Sequence, residues 1–141
     1  MKRYEFLEHT ADVAVRVYGA TLKELFTSAA LAMFAVLVVK KGNRPAALLK
    51  EVSIQKEEES LEDLLKSWLD ELLFNFSVGG LILHRIKSLE CSESSLQAKI
   101  LFDTLDSRFY EVKNEIKAIT YHELKVEKIR NRWRAHIIFD V

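Results

Sequence analysis

The sequence predicts an α+β fold, a two-layer domain in which a largely antiparallel or mixed β-sheet is covered by two amphipathic helices. Three observations predict it. Two segments, Leu22 to Phe34 and Leu61 to Phe76, carry apolar residues at the i, i+3, i+4, i+7 spacing of a buried helical stripe. Several other segments alternate apolar and polar residues with the period of a strand. The length of 141 residues suits one domain with its own core, taken as residues 1–141.

Taken in order, Arg3 to Leu7 reads as a first strand, and Val13, Val15 and Val17 alternate with Ala14, Arg16 and Tyr18 in a second, with His9 to Asp12 connecting them. Gly19 ends the second strand. Thr21 and Glu24 have the spacing of a capping box, so a helix starts there and fades near Val39. The polar, breaker-rich run from Lys40 to Pro45 is a loop, and Glu51 to Gln55 alternates like a half-exposed strand. Ser60 is the N-cap of a second helix, stopped by Gly79-Gly80. The remainder reads as four strands, near Leu81 to Leu89, Leu96 to Phe102, Lys117 to Glu127 and Trp133 to Val141, the last two joined in a hairpin through Arg130-Asn131-Arg132. Along the final strand, Trp133, Ala135, Ile137, Phe139 and Val141 share one face; Arg134, His136, Ile138 and Asp140 share the other.

Charge and composition narrow the function classes. Lysine plus arginine equal aspartate plus glutamate at 21 each, so no global positive field recruits nucleic acid, and RNA is expected to be met only indirectly. The single Cys91 has no disulfide mate, and Met1 to Glu5 lacks the apolar run of a signal peptide, which fits a reducing cytoplasm. The apolar stretch from Ala29 to Val39 is too short for a membrane span. No nucleophile elbow, P-loop or dinucleotide-binding glycine motif is present.

The candidate chemistry lies at the two ends. Asp12 follows the first loop, while Asp140 precedes Val141 and its α-carboxylate. If the termini pair in a sheet, these oxygen anions converge, and such a cluster repels itself unless a hard cation or protons sit between its members. Taken singly, Asp12 is an ordinary turn former and Asp140 an ordinary solvated terminal residue. The four histidines lack paired zinc-site spacing; His122 is more often a half-buried strand histidine than a functional one, and His9 orients the loop before Asp12. Lys125, Lys128, Arg130 and Arg132 form a basic run that blunts a sheet edge, with an RNA patch as the weaker reading.

Five segments, Tyr4 to Val13, Ala29 to Phe34, Trp68 to Phe74, Glu115 to Leu124 and Trp133 to Val141, together resemble the archease family in order, spacing and placement at both termini. The resemblance implies a small cytoplasmic, non-enzymatic partner of the GTP-dependent RNA-splicing ligase. That ligase joins RNA 2′,3′-cyclic phosphate or 3′-phosphate ends to 5′-hydroxyl ends in tRNA splicing, and the partner promotes its guanylylation and multiple turnover. It also implies a divalent-cation site, calcium with magnesium or manganese as alternatives, on Asp12, Asp140 and Val141. If that end docks on the ligase, His9, Lys117 and His122 are the candidate partner contacts. The sequence departs from the family pattern at Ala14, where many relatives have glycine, and across Leu105 to Tyr110. The alternative is a small metal-dependent phosphoester hydrolase using the same acidic cluster with His9 or His122 as acid/base.

Overall fold

In the computed structural model, which describes residues 2–8, 12–42 and 49–141, strand β1 (Tyr4–Leu7) pairs antiparallel with β2 (Val13–Gly19), from Tyr4 opposite Val17 to Leu7 opposite Ala14. Helix α1 (Leu22–Leu37) follows at once. Its N-cap Thr21 accepts the Glu24 N–H at 3.2 Å, and the Glu24 carboxylate reaches back to the Ala20 N–H at 2.6 Å. The expected capping box therefore forms with its return bond one residue earlier than the usual N-cap N–H. Gly19 allows this sharp entry, because a Cβ there would stand 2.3 Å from the Leu25 backbone nitrogen.

The first helix ends at Leu37. Val38 is already extended, and β3 (Val38–Lys40) pairs with β7 (Tyr110–Val112) in a short two-stranded sheet that the sequence pattern did not announce. β4 (Lys50–Glu57), β6 (Ser95–Thr104) and β5 (Leu81–Cys91) form a three-stranded sheet in that spatial order. Helix α2 (Leu61–Gly79) is capped by Ser60, whose hydroxyl accepts the Asp63 N–H at 3.0 Å. It closes on Gly80 in the left-handed conformation, φ 62°.

The largest sheet contains β1, β2, β10 (Arg132–Asp140) and β8 (Ala118–Ile119) in that order, with β9 (Lys125–Ile129) also paired to β10. All its pairings are antiparallel. The expected continuous strand from Lys117 to Glu127 is broken. Ile119 pairs with Phe139 and Lys125 with His136, so residues 120–124 stand opposite only Ile137 and Ile138, and three residues' worth of chain is extruded as a turn. Glu123 in that turn has φ 55°, a conformation few non-glycine residues adopt. The β9–β10 hairpin forms as expected, with Arg130 and Asn131 at φ 51° and 64° as in a type I′ turn.

The core lies where the helices meet the sheets. α1 is buried on nearly all sides, with Leu25, Phe26, Ala29, Met33 and Leu37 fully buried, because it packs against β2 and β10 of one sheet and β5 of another. Trp68 of α2 is fully buried and donates its indole N–H to the Phe26 carbonyl at 3.0 Å. Ser28 donates to the Tyr18 carbonyl at 2.8 Å, which satisfies a buried hydroxyl and fixes α1 on β2. On β10, Ala135, Ile137 and Phe139 enter this core as the alternation predicts. Among the described residues, no helix is long and apolar enough to cross a membrane.

Candidate functional site

The pairing of β2 with β10 decides the site. It runs from Trp133 opposite Gly19 to Phe139 opposite Val13, so Asp12 and Asp140 each lie one residue beyond the last pair of this ladder. Residues far apart in sequence thus end on one rim of one sheet. Asp12, Asp140 and Val141 are all half-buried there. The Asp140 carbonyl accepts the Lys117 N–H at 2.7 Å, and Ala118 pairs with Asp140, so Lys117 borders the rim from the neighbouring strand with its side chain exposed.

Among the described residues the candidate donors are hard, carboxylate and main-chain oxygens. That suits a calcium- or magnesium-like ion and not zinc. Among the described residues, no group of three or more histidine, cysteine, aspartate or glutamate side chains stands together as a metal cage. An ion at this rim would rest on two carboxylates and complete its shell with main-chain oxygens and water. One further oxygen deserves a place in that description. Thr120 follows β8 on the face that Ala118 shares with Asp140, and its hydroxyl oxygen is buried without a hydrogen-bond partner.

The other expected residues are placed differently. The sequence pattern predicts His122 as a half-buried strand residue, yet it stands exposed on the extruded turn, closed by the Leu124 N–H donating to the Tyr121 carbonyl at 3.1 Å. The turn emerges level with Ile137 and Ile138 of β10 rather than at the Asp140 rim. It is tied to the first turn of α2. Glu62 accepts the Val126 N–H at 2.8 Å, and the Lys66 ammonium lies 5.0 Å from the Tyr121 ring centroid. A hydrogen bond with Asp63 also raises the Tyr121 phenol above its ordinary pKa. His9 lies outside the described residues. Burial pushes the Cys91 thiol up to about 11, so at neutral pH it is no nucleophile.

Sequence reading missed the outward face of the large sheet. There Lys125, His136, Arg16 and Glu5 stand in one row across four strands, and Glu127, Arg134 and Tyr18 in the next. Together with Glu123 and Leu124, the residues Arg16, Lys125, Glu127, Arg134 and His136 line an open trough of about 480 Å³. Alternation along β10 had placed Arg134 and His136 on one face, but the row itself depends on three registers that only the fold reveals.

Comparison with known proteins agrees with this architecture. The chain matches the Archease protein family (MTH1598/TM1083) over residues 4–141. It is 42% identical to protein archease of Thermococcus kodakarensis and 39% identical to that of Pyrococcus furiosus, each over the full length of both chains. The solution structure of Methanobacterium thermoautotrophicum protein 1598 superposes with a TM-score of 0.75 at 30% identity, covering all of both chains. The 2.0 Å crystal structure of an archease from Thermotoga maritima, described as a possible chaperone, gives 0.62 at 25% identity and covers 96% of this chain and 94% of that one. Full-length identity above 40%, a family match across nearly every residue and a shared fold make this chain a member of the archease family.

Proposed function

We propose that the chain is a non-catalytic activating partner of a GTP-dependent RNA-splicing ligase, working in the cytoplasm and promoting the ligase's guanylylation and its repeated turnover. The ligase so activated joins RNA 2′,3′-cyclic phosphate or 3′-phosphate ends to 5′-hydroxyl ends in tRNA splicing. Family membership supports a partner role of this general kind. The observation that supports the reading is that β2 and β10 end together, with half-buried Asp12 and Asp140 each one residue past their last pair, Val13 with Phe139.

In this reading Asp12, Asp140 and the main-chain oxygens of Val141 hold a divalent cation, calcium in the first instance and magnesium or manganese otherwise. When bound, such an ion neutralises phosphate oxygens. The chain's own residues do the rest. The Lys117 N–H donates to the Asp140 carbonyl at 2.7 Å, which fixes the backbone at this rim. Carboxylates on such a rim can enter another protein's cleft, where they help order metal and nucleotide phosphates for nucleotidyl transfer. Lys117, exposed beside the rim, and His122, exposed on the turn, are the proposed partner contacts together with His9.

The hydrolase reading needs an acid/base histidine beside the carboxylates. His122 stands on a turn away from that rim and does not supply it, and His9, the other candidate, lies outside the described residues.

The test is a guanylylation assay of the cognate ligase with wild-type, Asp12→Ala and Asp140→Ala protein, each checked for folding by circular dichroism. Loss of stimulation in both variants is the expected result; full stimulation by folded variants would sink the proposal. Terbium luminescence on the same proteins reports cation binding separately, and both variants should lose it.

A further inference from the structure

We propose that the trough on the outward face of the large sheet is a binding site for a phosphoryl group, held by Arg16, His136 and Lys125. These residues occupy adjacent register positions on β2, β10 and β9, with His136 between the two cations. Arg16 and Lys125 are thus two strands apart, and the row places no carboxylate between them.

The local carboxylates do not satisfy this row. Glu127 receives Arg134 through two contacts, at 3.1 and 2.5 Å, and Lys125 only at 3.5 Å. Glu5 receives the Tyr18 hydroxyl at 2.5 Å and Lys2 at 2.7 Å, and Arg16 only at 3.4 Å. Charge-assisted hydrogen bonds settle near 2.7–2.9 Å. The two cations that flank His136 are therefore the two most loosely held in the trough, each the junior partner of an already occupied carboxylate.

His136 is oriented for the same task. Its Nδ1 lies 3.1 Å from the Glu123 carbonyl, which can only accept, so Nδ1 carries a proton and Nε2 is the nitrogen left for a ligand. The extruded turn supplies that carbonyl and fixes the ring. The spacing also matches. Strands lie about 4.8 Å apart, so the first and last members of the row are about 10 Å apart at the backbone. A phosphoryl group with hydrogen bonds of about 2.8 Å on opposite sides spans nearly as much. Arg16 and Lys125 donate from two strands and the imidazolium form of His136 donates through Nε2 from the third, which suits tetrahedral oxygens, whereas a planar carboxylate would use one guanidinium fork and leave the others idle.

Titration with inorganic phosphate at constant ionic strength, followed by two-dimensional NMR, tests this. Saturable shifts centred on Arg16, Lys125, Arg134 and His136 are expected. The doubly substituted Arg16→Gln, Lys125→Gln protein should bind at least about tenfold more weakly while keeping the dispersed spectrum of a folded chain. If that variant unfolds, Lys125→Gln alone, whose side chain is largely exposed, serves instead with the same direction of effect. A short single-stranded oligonucleotide forms the second arm. Tighter binding of the oligonucleotide than of phosphate assigns the site to a phosphodiester backbone, and saturation by phosphate alone assigns it to a free phosphomonoester. Absent or non-saturating shifts, or equal saturation by acetate, overturn the proposal. Asp12→Ala and Asp140→Ala should leave phosphate binding intact, since His136 and Asp140 are about 13 Å apart along the strand.

Discussion

The two faces of β10 receive the same backbone and the same neighbours, yet they are built for different ends. Inward, Ala135, Ile137 and Phe139 are at most 1% exposed and join the helices in the main core. Outward, Arg134, His136 and Asp140 are half-buried, and no helix covers them. The inward face tolerates nothing but apolar volume. The outward face keeps charge, with Arg134 and His136 toward the middle of the strand and Asp140 at its end. Ile138 is the exception, fully buried on the charged side opposite Ala14, and it separates the cationic row from the acidic pair.

That contrast can be broken in graded steps. Phe139→Ala removes a fully buried ring from the inward face and should cost about 3–5 kcal/mol in chemical denaturation, enough to unfold a marginal domain. A loss below about 1 kcal/mol would mean that the core does not rest on this strand. Ile138→Ala tests the exception: as a buried residue it should cost about 2–3 kcal/mol, and as a solvated one less than about 0.5.

The smallest effect concerns Glu5. Hydrogen bonds from Lys2 and then Tyr18 hold its carboxyl down to about 2, below the ordinary carboxylate value. A depressed carboxylate contributes stability above its unfolded pKa, and that contribution disappears as pH falls through the folded value. Between about pH 5 and pH 2, wild-type protein should therefore lose stability faster than Glu5→Gln. Because this surface group is well solvated, the difference will be small, and parallel acid-unfolding curves would contradict the assignment.

Much of this was legible in the chain. Thr21, Ser60 and Gly80 mark helix ends through local hydrogen bonding and backbone sterics, which need no knowledge of the rest of the fold. The alternation in Trp133 to Val141 correctly separates the faces. Because β10 pairs back onto β2, the two chain segments that carry Asp12 and Asp140 end at the same edge, one residue past the pair Val13 and Phe139. What could not be read depends on long-range pairing. β3 and β7 are three residues each and some seventy positions apart, so neither carries a signal of its own. The break between β8 and β9 contains no glycine or proline; Glu123 takes its positive φ because α2 and β10 hold the turn from both sides. The cationic row needs two registers at once, which no linear pattern records.

The extruded turn preserves phase. Removing Tyr121, His122 and Glu123 would bring Thr120 opposite Ile138 and Leu124 opposite Ile137, so β8 and β9 would zip into one uninterrupted ribbon with every side chain still facing its present side. Three surplus residues thus sit in the ladder like a parenthesis in a sentence that reads correctly without it. The ladder would thus survive a change in the length of this turn, whereas the orientation of His136 would not, because its ring rests on the Glu123 carbonyl.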